Sequence, residues 1–301
     1  MLKEYGADIL RLWVIGSDYY DDLRIGKEIL IRHADHYRRL RNTLRYLLGA
    51  LYDFHEEEII DYSKMPEIER WVLNEVYILS HKISQFSQNY QLSEIYREVY
   101  DFCNNELSSF YFDIRKDTLY CAGYDSIERR ACRTVMNILF NSICTWLAPI
   151  LCFTTEEAWK TKYINKNESV HLQEYFKSNE HWNDNSLSKK WEIIRELRLK
   201  VNNKIEEKRR ENLIGSSLEA KITLEVSDYF YKILSTLNLS EIFICSKVDL
   251  KISNDLKNND TKVDCEKVSG LKCDRCWKIS DDVKIDTSLC VRCSSVIDTL
   301  K

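Results

Sequence analysis

The strongest chemical signal lies in residues 270–297, GLKCDRCWKISDDVKIDTSLCVRCSSVI, where two C-x-x-C turns stand thirteen residues apart. The spacing lets Cys273, Cys276, Cys290 and Cys293 reach the corners of one tetrahedron, the arrangement of thiolates that zinc prefers. A shell of four cysteines is closed to water and substrate, so one zinc ion here is expected to be structural and not catalytic. Thioredoxin-like redox chemistry would need a single pair within a βαβ unit. A piece of some thirty residues with few large apolar side chains needs such a metal to fold at all. Around the metal turns, Arg275, Trp277, Lys278 and Arg292 form a cationic and aromatic surface suited to stacking a base and pairing with phosphate. The alternative, that Trp277 only packs over the metal turns, stands equally open at this point. The remaining cysteines (103, 121, 132, 144, 152, 245 and 265) sit mostly among apolar neighbours and read as small core residues.

A second constellation is electrostatic. Arg38, Arg41 and Arg45 recur three and four residues apart, which makes one basic ridge on a helix. Arg24, Lys27, Arg32 and Arg39 add to it, and between Ile25 and Leu51 only Glu28 and Asp35 oppose it. Solvated helix faces usually mix signs, so the excess favours a polyanion such as a phosphate backbone. The segment RELRLKVNNKIEEKRREN is also basic, but Glu196, Glu206, Glu207 and Glu211 dilute it to an ordinary charged surface. There is no G-x-S-x-G, no Gly-rich phosphate loop and no H-E-x-x-H, and the histidines are scattered. Taken alone, these residues describe a binding module.

The elements that must carry these groups are mostly helices. Seven Gly and two Pro in 301 residues leave little turn chemistry for a sandwich or barrel. That length suggests roughly two domains. In HADHYRRLRNTLRYLLGALYDF the residues Tyr37, Leu40, Leu44, Leu47 and Leu51 form one apolar stripe, and Ile68, Val72, Val76, Leu79, Ile83 and Phe86 form a second, after Pro66. A third helix is expected from about Leu92 to Phe112 and a fourth from near Asp125 or Ser126 to about Leu147, all joined by short connections as an antiparallel bundle. Thr134 to Thr155 carries no charge, yet Thr134, Asn137, Asn141 and Thr145 make a polar stripe, so a buried helix fits better than a membrane span.

Beyond the bundle, 161–190 reads as an irregular connector. Helical spacing returns from Trp191 to about Asn212. LEAKITLEV alternates as a strand, a short helix follows from about Asp228 to Leu237, and EIFIC reads as another strand. SNDLKNNDTK reads as a linker or mobile loop before the cysteine knuckle. The net charge of −4 argues against indiscriminate coating of nucleic acid. No export signal follows Met1, which points to a cytoplasmic chain with reduced thiols.

Several stretches together resemble the C-terminal half of bacterial-type isoleucyl-tRNA synthetases, which are class I aminoacyl-tRNA synthetases. They are YGADILRLWVIGSDYYDDLRIG, YRRLRNTLRYLLGAL, ELSSFYFDIRKDTLYC, LAPILCFTTEEAW, VHLQEYF, IGSSLEAKITLEV and the terminal CDRCW with LCVRC, in the family's order and across essentially the whole chain. The resemblance implies a mainly α fold. Residues 1–24 would link to a catalytic domain, and 25–160 would form the helical anticodon-binding bundle. The connector at 161–190, a small α/β unit at 191–250, and the linker and zinc finger at 251–301 complete the order. It implies a partner, the tRNA for isoleucine, contacted by Arg38, Arg41, Asn42 and Arg45 and by Arg275, Trp277 and Arg292, with no membrane or DNA partner. The family's H-I-G-H and K-M-S-K-S signatures are absent. ATP and Mg2+ are therefore expected only in a full enzyme that also carries the catalytic domain, and this chain alone is expected not to make aminoacyl-tRNA. The rival reading is a zinc-containing protein-interaction scaffold. A zinc-dependent enzyme is disfavoured by the closed shell.

Overall fold

The computed structural model describes residues 2–17, 22, 25–164 and 168–299. Two compact units emerge, Met1–Asp113 with Ile127–Asp184, and Ile114–Ser126 with Asn185–Lys301. Arg24, which the sequence groups with the basic ridge, lies outside the described residues.

The first unit opens with the short helices α1 (Leu2–Tyr5) and α2 (Ala7–Ile15), followed by the long helices α3 (Lys27–Ala50) and α4 (Glu67–Gln88). Next come α5 (Leu92–Asp101), a π-helical stretch (Phe102–Tyr111), the start of α6 (Phe112–Cys121), α7 (Ile127–Leu147) and α8 (Cys152–Lys162). They form an antiparallel helical bundle in which α7 packs against α3, α4 and α5. Both apolar stripes face the core. Leu40, Leu44, Leu47 and Leu51 are buried on α3 and just after it, as are Ile68, Val72, Val76, Leu79 and Ile83 on α4, while Tyr37 and Phe86 lie half-buried at the stripe ends.

The polar stripe of α7 turns inward and is satisfied there. Thr134 Oγ1 accepts from the Ile60 amide and Thr145 Oγ1 from that of Phe176, while the Asn137 and Asn141 carbonyls take Lys162 and Tyr163. No helix among the described residues is long and apolar enough to cross a membrane.

Two expectations for this unit change. The third helix runs on past Phe112 to Cys121 and widens into π geometry between Phe102 and Tyr111, where the buried residues Phe102, Leu107 and Tyr111 recur at intervals of five and four. The join from α3 to α4 is also longer than expected, spanning 51–66 with two 3-10 turns. Arg133, buried on α7, holds this join in place: its guanidinium donates to the carbonyls of Ala50 and Tyr52 and to the carboxylates of Asp53 and Glu58.

The second unit is built on α9 (Asn185–Arg210) and a three-stranded sheet. Its central strand β1 (Ala220–Val226) runs parallel to β2 (Lys247–Ile252) and antiparallel to β3 (Thr261–Lys267), pairing Leu224 with Leu250 and Ile222 with Cys265. Ala220, Ile222, Leu224 and Val226 fill its buried face, which fits the alternation in the sequence. EIFIC, expected as a strand, is not one. After α10 (Asp228–Leu234), the carboxamide of Asn238 caps the short helix α11 (Leu239–Ile242), and the strand begins only at Lys247. Ile242, Phe243 and Cys245 are all buried, and a short apolar run without alternation cannot distinguish helix from strand. The sheet also reaches beyond residue 250, since β3 takes up Thr261 and Lys262 from the segment read as a linker. The C-terminal knuckle holds a short hairpin, β4 (Leu271–Lys272) with β5 (Ile279–Ser280), and α12 (Val291–Asp298).

Candidate metal centre and nucleic-acid interface

The first C-x-x-C turn is a tight backbone loop. The Cys273 amide donates to the Lys278 carbonyl at 2.9 Å and the Trp277 amide to the Cys273 carbonyl at 2.8 Å, which forces Trp277 to a left-handed φ of 63°. Gly270 sits before the turn at φ 122°, where a Cβ would fall 2.8 Å from the Ser280 backbone. The amide of Asp274 reaches across to the Ser288 carbonyl at 2.9 Å and joins the first turn to the second. Cys290 then serves as N-cap of α12, with Cys293 on its first turn.

The four sulfurs lie within 4.8 Å of one another, the only such His, Cys, Asp and Glu grouping among the described residues. Cys276 Sγ and Cys290 Sγ are 3.9 Å apart. Tetrahedral zinc with Zn–S bonds of about 2.3 Å sets sulfurs about 3.8 Å apart, so the cage is already near its loaded dimensions. Its electrostatics agree. Burial would push the Cys273 thiol up, but the backbone amides of Cys276, Cys290 and Arg275 aimed at its sulfur pull it down to about 6. Burial and the neighbouring sulfurs push Cys276 and Cys293 up. Four thiolates this close repel one another unless a cation sits between them, and the donor set fits one structural zinc. When bound, the ion supplies four sulfur bonds that cross-link the two turns and leaves no open position.

The knuckle is anchored to the end of α6. Cys121, at the end of α6, packs with the four ligand cysteines, Val283 and Leu289. Arg275 donates to the carbonyls of Cys121 and Tyr120 and so caps the C-terminus of α6. Arg292 makes a two-pronged pair with Asp117 at 2.6 and 2.8 Å. Burial raises the Asp117 carboxyl, but the Arg292 fork outweighs it and holds the group below the usual carboxylate range. The Ser246 hydroxyl, at the entrance to β2, accepts from the Ile279 amide at 2.7 Å. The guanidiniums of Arg275 and Arg292 are thus engaged within the protein. Trp277 is different: it is 61% exposed, and Lys272 Nζ lies 5.8 Å from its ring centroid. Of the other cysteines all are buried except Cys152, which is half-buried.

On α3, Arg38, Arg41, Asn42 and Arg45 are all exposed. The structure divides them by partner. Arg38 pairs with Asp35, one turn back on its own helix. Arg41 forms a two-pronged pair with Glu157 of α8 at 2.9 and 3.0 Å, which holds the Glu157 carboxyl below its ordinary range. Arg39 donates to the Asn104 side chain. Among the described residues Asn42 and Arg45 have no partner. The basic surface of α9 is neutralised as expected, with Lys204, Lys208 and Arg209 paired to Glu207, Glu211 and Glu206. Sequence spacing missed Asp117, Tyr120 and Cys121 as supports of the metal site, and Glu157 as partner of Arg41. Nothing local marks them, because the contacts span 116 to 175 residues of chain.

Comparison with known proteins gives a consistent family. Residues 270–296 match the family described as "Zinc finger found in FPG and IleRS". The isoleucine–tRNA ligase of Zymomonas mobilis is 43% identical over 99% of this chain and 32% of its own length, and that of Gluconobacter oxydans is 43% identical over 98% and 31%. The chain thus spans about a third of the length of these relatives. A solved LeuRS-tRNA-LeuAMS complex from Agrobacterium radiobacter aligns over 83% of this chain and 29% of its own, at 12% identity and a TM-score of 0.46, too loose a likeness to bear on the site. Residues 69–224, more than half of the chain, match the family described as "Anticodon-binding domain of tRNA ligase", and the chain belongs to that family.

Proposed function

We propose that this chain is the tRNA-binding portion of an isoleucine–tRNA ligase, a cytoplasmic enzyme whose full form would attach isoleucine to its tRNA using ATP and Mg2+. The observation that carries the reading is the presence, on one chain, of the anticodon-binding family match and a closed four-thiolate finger of the type found in such ligases. Arg45 of α3, exposed and without a partner among the described residues, supports it together with the exposed but ion-paired Arg38 and Arg41, since a phosphate backbone is met by accessible cations. In this reading Arg38, Arg41, Asn42 and Arg45 engage the backbone of the isoleucine tRNA, which positions it without reading sequence. Trp277 offers an aromatic face to an unstacked anticodon base, the usual way a single-stranded loop is read. Arg275 and Arg292 brace the finger that carries Trp277 through Tyr120, Cys121 and Asp117, and the exposed edge of Arg292 is open to phosphate. The catalytic domain of the same enzyme would bind the acceptor end.

The test is equilibrium binding of the zinc-loaded chain to isoleucine tRNA and to a non-cognate tRNA across a salt series. Preference for the isoleucine tRNA, with affinity falling linearly on a log–log salt plot, is the expected result. Absence of binding to either tRNA at low salt would overturn the reading.

A further inference from the structure

Among the described residues, Cys121 is the cysteine outside the metal cage that packs against it. It closes α6, is 5% exposed, and shares a buried cluster with the four ligand cysteines and Val283, with Leu289 at the margin. Its sulfur stands outside the set of four that lie within 4.8 Å of one another, so it is not a ligand while those four are intact. It lies 3.5 Å from the carbonyl oxygen of Arg275, the residue immediately before Cys276 in the first C-x-x-C turn. That contact places a fifth thiol on the Cys276 side of the cage.

The main chain of Cys121 is held against the finger, whereas its side chain is not. Arg275 donates to the Cys121 and Tyr120 carbonyls at 2.7 and 3.2 Å, and the Arg292 fork grips Asp117 one turn back. The thiol itself has only weak bonds, to the Arg275 carbonyl and to the Asp117 carboxylate. Cys121 is also the last residue of its helix, and helix ends adjust more readily than interiors. Two residues on, Gly123 has room around it: an added Cβ would meet nothing nearer than Val296 Cγ2 at 3.9 Å.

Loss of one thiolate from a closed zinc shell opens a coordination position. Solvent would fill it at an ordinary site, but here a thiol lies in the same buried cluster, and thiolate sulfur is the softer ligand that zinc sites select. Its capture forms one Zn–S bond and releases the thiol proton to solvent. We infer that Cys121 is a reserve ligand of the zinc site, taking the coordination position of Cys276 when that thiolate is lost. A cysteine that only filled space could be exchanged for serine, which is nearly the same size, without effect on the metal. A reserve ligand could not.

The experiment uses the full chain loaded with Co2+, whose thiolate-to-metal charge-transfer absorbance counts bound sulfurs, together with zinc content and zinc affinity. Wild type and Cys121→Ser should each hold one metal in a four-sulfur shell. Cys276→Ala should also hold one metal and keep the four-sulfur signature. Cys276→Ala combined with Cys121→Ser should show three sulfurs and bind zinc more weakly than Cys276→Ala, by at least the roughly 10- to 100-fold that loss of a supporting residue costs. A three-sulfur signature in Cys276→Ala, or a zinc affinity equal to that of the double variant, overturns the inference. If circular dichroism shows that Cys276→Ala does not fold, the decision passes to Cys121→Ser, in which all four cage thiolates remain. Zinc transfer from that variant to excess chelator should be several-fold faster than from wild type, because no thiol recaptures the ion when the Cys276 bond opens. Cys265→Ser, at a buried cysteine outside the cage cluster, should leave the rate unchanged. A wild-type rate in Cys121→Ser, or equal acceleration in Cys265→Ser, then overturns the inference.

Discussion

Arg41 and Arg45 are one turn apart on α3 and look equivalent in the sequence, yet the structure gives them different electrostatic weight. Arg41 shares its charge with Glu157, whereas Arg45 stands exposed without a partner among the described residues. A cation already paired releases fewer counterions on meeting a phosphate. Arg45→Ala should therefore flatten the salt dependence of tRNA binding by about one unit of log–log slope. Arg41→Ala should move the slope less. Equal slopes for the two variants would show that the Glu157 pair opens fully in the complex. At the metal site, Cys290→Ser removes one thiolate while leaving a residue well suited to cap α12. That variant should lose zinc and become protease-sensitive through the knuckle, as metal content and limited proteolysis would report.

Among the helices, the packing of α3 on α5 carries a pH dependence. His33 and His36 of α3 lie half-buried, His36 bonded through Nδ1 to the Tyr96 hydroxyl at 2.6 Å and stacked on Tyr100. Burial is the main cause that lowers both histidines from their ordinary value; His36 and Arg32 add to it at His33, and Arg39 and Arg32 at His36, while Asp35 and Asp101 work against it at His36. The unfolded chain thus binds protons more readily, so stability is full above about pH 6.5 and falls as the pH drops through the folded values. Thermal unfolding midpoints between pH 7.5 and 5 should decline, and His33→Gln should lessen the decline. An unchanged acid slope in that variant would argue against His33 as a source. The helices themselves were legible because Leu40, Leu44 and Leu47, like Val72, Val76 and Leu79, repeat at the helical period on buried faces. EIFIC looks like a strand in the sequence because Phe243 and Cys245 are buried without alternation, and the cap that Asn238 gives the short helix before them has no apolar period to mark it. The four-cysteine cage could be read from spacing alone, because its ligands are local pairs. The grip of Asp117 on Arg292 could not, since single residues far apart in sequence carry no period.

For the molecule as a whole, the zinc site does more than fold its own thirty residues. Through Asp117, Tyr120 and Cys121 it secures the end of α6, so chelation should raise amide hydrogen exchange in residues 114–121 as well as in 270–298. Exchange rising only in the knuckle would show that α6 stands without it. The same contacts bear on how the chain reaches its native state. Arg292 emerges from a ribosome 175 residues after Asp117, so the second unit cannot assemble in the order of synthesis. The segment from Ile114 to Ser126 is made early, between helices of the first unit, and must wait for the finger. Contacts of such sequence separation slow folding and leave partly assembled surfaces exposed. Until the knuckle loads zinc, the thiol of Cys121 and the carboxylate of Asp117 have no cover. The second unit is therefore the portion of this chain most dependent on metal supply and chaperone protection during biosynthesis.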